Sequence, residues 1–250
     1  MTQSILAGFM IGIGNIALMT SGNQFVGALL FSVALMTVIY FELPLYTGRI
    51  GTVIQDRSYL SCLLALVFNT IGAVLAVWMF KVMSPENAML IKNVAHTKYS
   101  KGLLALFIAG IFCNVLIHIA VSTKHSIMVI LCVMAFIVCG FEHSIADVPY
   151  MLLDFSYANL LGWVMVLAGN TVGGIATQFL LSFMENRDSG GSEEEHPEDE
   201  LEEPDIQEPE PDIQTSEPTI NGFPMSEMFT ANTASNVIDG EFTQVKEGEE

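Results

Sequence analysis

Six apolar stretches without Asp, Glu, Lys or Arg divide the first part of the chain, at residues 5–20, 25–41, 60–80, 103–122, 127–141 and 160–183. Crossing a hydrocarbon layer of roughly 30 Å takes about 20 apolar residues as helix. The third, fourth and sixth stretches reach that length. The second and fifth stop short and run into Glu42–Pro44 and Glu142–Pro149, where charge and proline interrupt the pattern. These two are predicted to be broken helices. Backbone N–H and C=O groups freed at membrane depth survive only when buried in protein or facing a water-lined cavity, so two breaks imply a shared central pathway. The predicted fold is all-α and integral to the membrane, with six transmembrane helices.

Comparing the two halves adds a duplication. Phe41-Glu42 recurs as Phe141-Glu142, Asn69-Thr70-Ile71-Gly72 as Asn170-Thr171-Val172-Gly173, and Ala7-Gly8 as Ala109-Gly110, at offsets of 100, 101 and 102. Each match falls at the corresponding place in a three-helix unit. Three is odd, so the second copy would enter the bilayer upside down, as an inverted 3+3 repeat of the kind used by transport proteins. The glycines along these helices would allow close helix approach.

Composition agrees, and charge refines the domain picture. The chain is 52% hydrophobic and only 14% charged, the wrong balance for covering a globule in water. Its net charge of −18 is segregated. Residues 1–184 hold seven Lys and Arg against six Asp and Glu, a net of plus 1, while the remaining 66 hold two against 21, a net of minus 19. A pore domain at 1–184 is thus followed by an acidic tail at 185–250. The tail has six prolines and a short duplication, Pro204-Asp205-Ile206-Gln207 and Pro211-Asp212-Ile213-Gln214. Such a segment is predicted to be disordered, either recruiting a protein partner or simply solvated. The basic stripe that nucleic acid requires is missing. Cys62, Cys113, Cys132 and Cys139 lie in apolar runs without metal-ligand spacing and read as packing residues. The apolar start has no positive n-region, so it is expected to be retained rather than cleaved. Loop Lys and Arg divide four against four between the two sides, so charge bias does not orient the chain.

The chemistry concentrates in Gly140-Phe141-Glu142-His143-Ser144-Ile145-Ala146-Asp147. An ionisable residue within the membrane costs at least ~2.5 kcal/mol, so three in six positions make function the default reading. His143 can take up and release a proton near physiological pH, and neutralising a small weak-acid anion removes the cost of carrying its charge through low dielectric. Alternatively, His143 and Glu142 satisfy backbone groups at the break. Asn114, in mid-span, either binds a passing solute or bridges two helices. His118 is one turn further along the same helical face, as a proton carrier or an interhelical partner. Thr47 offers a hydroxyl to the path or belongs to a Thr-Gly turn, and Lys98 and Lys101 attract anions or are solvated loop lysines. His143 and Asp147, at i and i+4, also have a spacing that can hold a metal. A membrane enzyme using them with His118 is therefore a competing reading. It lacks a third ligand at convincing spacing, and neither metal nor cofactor is assigned.

These segments carry a resemblance. Ala7-Gly8, Leu45-Tyr46-Thr47-Gly48, Gly110-Ile111-Phe112-Cys113-Asn114, the Gly140–Ala146 run and Gly169-Asn170-Thr171-Val172-Gly173-Gly174 are similar to motifs of the formate/nitrite transporter family, over essentially all of residues 1–184. The resemblance implies an aquaporin-like protomer, a homopentamer with one pore per subunit, cytoplasmic termini, and passage of small monovalent anions such as formate, nitrite, hydrosulfide or short carboxylates. It makes His143 the central pore histidine, with Thr47 in the loop of the second span, Asn114 beside the pore and Lys98 in the vestibule. Glu142, Ser144, His118 and Asp147 complete the expected pathway. The chain differs from the family at Pro44, which lies in a two-residue insertion, and at Arg49, His118 and Asp147; asparagine is common at the last position. The N-terminal amphipathic helix often seen in the family has no counterpart in the sequence. A pentameric scaffold displaying acidic tails is the alternative function.

Overall fold

The computed structural model describes residues 1–189 and two short strands in the tail. The chain divides into two units, 1–195 and 196–250. In the second, Thr219–Ile220 pairs antiparallel with Phe223–Pro224. The rest of 190–250, and with it most of the segment expected to be disordered, lies outside the described residues.

Within residues 1–189 every regular element is a helix. The elements are α1 (Thr2–Thr20), α2 (Gln24–Tyr40), α3 (Tyr46–Arg49), α4 (Val53–Asp56), α5 (Tyr59–Met83), α6 (Pro85–Tyr99), α7 (Leu103–Thr123), α8 (Ser126–Val138), α9 (Ser144–Leu153) and α10 (Tyr157–Ser189). Four of them, α1, α5, α7 and α10, are long and apolar enough to cross a membrane. Local chemistry sets several starts. The Asn23 side chain accepts from the N–H groups of Phe25 and Val26 and caps α2. Ser84 caps α6, with Pro85 in the first turn where a missing N–H costs nothing. The apolar pattern predicts a loop where α6 forms and a tail from Glu185, whereas α10 continues to Ser189.

Burial is arranged for a lipid solvent. On α5 the outward stripe is Leu60, Leu63, Val67, Ile71 and Trp78, all exposed, while Asn69 on the inner face is fully buried. Asn114, Glu142, His143, Asp147 and Asn170 are likewise at most 2% exposed. Polar residues inside and large apolar ones outside reverse the order of a water-soluble globule.

Glycine permits the tightest crossings. A Cβ at Gly8 would fall on the carbonyl oxygen of Asn69, so α1 and α5 meet backbone to backbone. A Cβ at Gly110 would lie 2.6 Å from the Val166 carbonyl oxygen, so α7 and α10 meet in the same way. Small residues allow dispersion contacts at this range where lipid removes the hydrophobic drive for helix association.

Between α2 and α3, and between α8 and α9, five residues carry no regular helix. The two segments are built alike. Glu42 and Gly140 both adopt positive φ, 51° and 71°. Glu42 N–H donates to Ile39 O at 3.1 Å and Leu43 N–H to Val38 O at 2.9 Å; Gly140 N–H donates to Ile137 O and Phe141 N–H to Phe136 O at the same lengths. These bonds match at an offset of 98, not 100. The identity of Phe41-Glu42 with Phe141-Glu142 therefore does not align the segments. What corresponds is the left-handed residue that ends each helix, glutamate after α2 and glycine after α8.

Candidate functional site

Two asparagines hold the non-helical segments. Asn69, on α5, donates through Nδ2 to Pro44 O at 2.9 Å and Ser4 O at 2.7 Å, and its Oδ1 accepts from Tyr46 N–H at 2.8 Å. Asn170, on α10, donates to Glu142 O at 3.0 Å and Gly110 O at 2.8 Å, and accepts from Ser144 N–H at 2.8 Å. Each amide thus clamps one carbonyl before a helix start and the first N–H of that helix. This is the accounting that non-helical backbone in an apolar layer demands. The sequence reading used these asparagines only as repeat markers.

His143 caps α9 instead of standing on it. Its Nδ1 accepts from Ala146 N–H at 3.1 Å, so in the neutral ring the proton resides on Nε2. Nε2–H then donates to Thr47 Oγ1 at 3.0 Å, joining α3 to α9. The Phe136 ring stacks on the imidazole with centroids 6.2 Å apart. Both sequence-predicted residues are buried and meet. The tautomer follows from the bond made by the other nitrogen.

His143, Ala146 and Asn15 border a cavity of about 500 Å³ that also reaches Lys98, Lys101, Glu142 and Asp147. Lys98 Nζ lies 2.5 Å from Glu142 Oε2 and 2.9 Å from Asp147 Oδ1; Lys101 Nζ lies 2.6 Å from Glu142 Oε1. Lys101 also donates to Gly140 O at 3.1 Å. Neither Asp147 oxygen makes a hydrogen bond, so its pairing with Lys98 is one of charge at close range rather than of aligned donor and acceptor. Burial works against the Lys98 ammonium, but Asp147 and Glu142 outweigh it and hold its pKa well above the ordinary lysine value. For Lys98 and Lys101 the sequence offers attraction of anions or simple solvation; in the structure both ammonium groups are paired with carboxylates.

The other expected residues divide. Ser144 contributes its backbone N–H, while its hydroxyl is buried without a hydrogen bond. Asn114 donates to Asn170 O at 2.7 Å, a bridge between α7 and α10. His118 joins α7 to α10 through Nε2–H and Gln178 Oε1, 2.7 Å apart; Gln178 is oriented by its own bonds to Gln55 and Ser182. The interhelical reading of His118 thus matches the bond it makes. No group of three His, Cys, Asp or Glu side chains able to hold a metal occurs among the described residues.

Known proteins resemble this chain in sequence and in overall fold. The family model described as "Formate/nitrite transporter" matches residues 1–184. The "Nitrite transporter NirC" of Salmonella typhimurium (strain LT2) is 26% identical over 212 residues, covering 69% of this chain and 78% of that protein. The protein of the same name from Escherichia coli (strain K12) is 26% identical over 180 residues, covering 61% and 67%. Among solved structures, "Pentameric formate channel with formate bound" superposes with a TM-score of 0.64 at 19% identity, covering 74% of this chain and 95% of that one. "FNT family ion channel" superposes at 0.63 with 23% identity, covering 74% and 88%. With the family model matching residues 1–184, this chain is an integral membrane protein and belongs to the formate/nitrite transporter family.

Proposed function

We propose that the chain forms a pathway for small monovalent weak-acid anions, among them formate, nitrite, hydrosulfide and short carboxylates, in which His143 eases passage by sharing a proton. One observation carries this reading: His143 borders a cavity of about 500 Å³ with its Nε2–H directed to a hydroxyl, Thr47, and held there by the cap on Nδ1. An anion that takes the place of Thr47 at Nε2 meets a hydrogen-bond donor in low dielectric, where such a bond offsets lost hydration. The names of the relatives, a nitrite transporter and a formate channel with formate bound, support the substrate class.

In this reading α2 with α3 and α8 with α9 are the two broken spans of an inverted 3+3 repeat, supported by their paired asparagine clamps and matching turns. Residues 1–184 are the pore domain. Six crossings put both ends of that domain on one side, the cytoplasmic side of the cell membrane, and the protomer assembles as a homopentamer like the formate channel whose fold it shares. Purified protein in liposomes is expected to pass formate or nitrite, and His143→Ala to reduce the flux and alter its pH dependence. Absence of flux for every one of these anions refutes the reading.

A further inference from the structure

The cavity beside His143 holds two ammonium groups and two carboxylates, and the partners are unequal. Each Glu142 oxygen has an ammonium of its own, Lys98 on one and Lys101 on the other. Asp147 has only the charge of Lys98, which Glu142 shares, and both of its oxygens are buried without a hydrogen bond. With both acids ionised the cluster is neutral and exerts no net pull on an anion. Admitting an anion would leave one uncompensated negative charge in a low-dielectric site, a large cost.

Resting on the transport reading above, we propose that Asp147 carries the proton that accompanies each anion into the cavity. Protonation makes one O–H bond on the Asp147 carboxyl and breaks none in the protein. It leaves the two lysines facing one carboxylate, so the cluster carries plus 1 and an arriving anion restores neutrality. The proton, taken from hydronium whose O–H bond is broken in the transfer, then leaves with the anion as the neutral acid, and the carboxylate is regenerated. The other groups around Asp147 do not take this role. Tyr99 donates its hydroxyl to the Asp147 carbonyl oxygen at 2.9 Å, and the Tyr150 ring lies under Lys98 Nζ at 5.8 Å. Cys113 is a buried thiol with no ion pair, and Lys101 is committed to Glu142 and Gly140. His143 has both nitrogens engaged, so adding a proton to it breaks the Ala146 cap. Asparagine, common at this position in the family that the sequence resembles, would hold the cluster permanently at plus 1. Aspartate makes that charge conditional on a proton.

The test uses the full-length protein in liposomes, with nitrite as the probe, across about pH 5 to 8 and with an imposed membrane potential. Wild-type flux is expected to fall as pH rises and to ignore the potential, because anion and proton move together. Asp147→Asn is expected to flatten the pH profile, to raise flux at the alkaline end by about tenfold, and to make flux follow the potential. Asp147→Glu, which keeps a titratable group, is expected to keep the wild-type profile. The inference is overturned if Asp147→Asn tracks the wild type across pH, or if wild-type flux follows the potential as a lone anion would. The potential measurement needs no variant, so an Asp147→Asn protein that fails to assemble still leaves the inference open to refutation. Wild-type protein that passes no anion at all removes the transport reading itself; nitrite flux with an indifferent Asp147→Asn removes only this assignment.

Discussion

Asn170→Leu tests the account of how an interrupted helix survives in lipid. The substitution keeps the four side-chain heavy atoms and their branching at Cγ and removes three hydrogen bonds. Gly110 O lies inside α7 and keeps its helical partner, but Ser144 N–H and Glu142 O lose the partners that Asn170 supplies. Leaving a buried donor or acceptor unsatisfied costs about 1–3 kcal/mol, so two such groups predict a loss of roughly 2–6 kcal/mol. The lower end agrees with an average of about 0.6 kcal/mol for each hydrogen bond between membrane helices, taken over three bonds. Asn69→Leu should cost a similar amount, since it strands Tyr46 N–H and Pro44 O in the same way. The assay is unfolding of the purified protein in detergent, followed by heat or denaturant, with nitrite flux measured on the folded fraction. Either variant unfolding within about 0.5 kcal/mol of wild type would refute the reasoning, because surface changes away from buried features fall in that range. So would a strong effect at one asparagine and none at the other.

Other consequences are smaller in scope. Thr47→Val removes the hydroxyl that accepts from His143 Nε2–H and, for one neutral hydrogen bond, should cost about 1 kcal/mol of stability while changing the concentration dependence of formate flux; flux kinetics identical to wild type would count against Thr47 as a pathway residue. Gly8→Ala and Gly110→Ala should each cost about 1–3 kcal/mol or more, because the added methyl meets backbone carbonyl rather than a movable side chain; thermal unfolding in detergent checks this. Glu142→Gln takes one negative charge from a cluster of two ammonium groups and two carboxylates, and should increase anion flux at neutral pH while weakening the seat of Lys101; lower flux in a fully assembled protein would contradict the charge argument. Deleting residues 190–250 should leave flux unchanged in liposomes if the helical unit alone is the pathway, and a large loss would bring the acidic tail into it.

Much of this molecule could be read along the chain. Span lengths follow from bilayer thickness, and charge with proline at Glu42–Pro44 marks where α2 stops; α8 ends earlier than its apolar run, at Val138, and Pro149 lies inside α9. The segregation of charge between residues 1–184 and the tail is likewise a property of composition. His143, Glu142 and Asp147 stood out because ionisable groups are costly in an apolar layer. Three-dimensional packing alone decided who partners whom. Nothing local to Asn69 or Asn170 says that its amide will hold a backbone segment about 25 residues away in sequence. Nor does any spacing reveal that Lys101 reaches Glu142 across 41 positions, or that Thr47 and His143, 96 positions apart, share a hydrogen bond. Even the match of Phe41-Glu42 with Phe141-Glu142 lies two residues off the offset at which the two turns correspond, because identity in a short string does not carry backbone conformation. The physical reason is common to all of these. Hydropathy is a local sum that each residue carries with it, whereas hydrogen bonds and ion pairs are set by distance and direction, which exist only once the helices have packed.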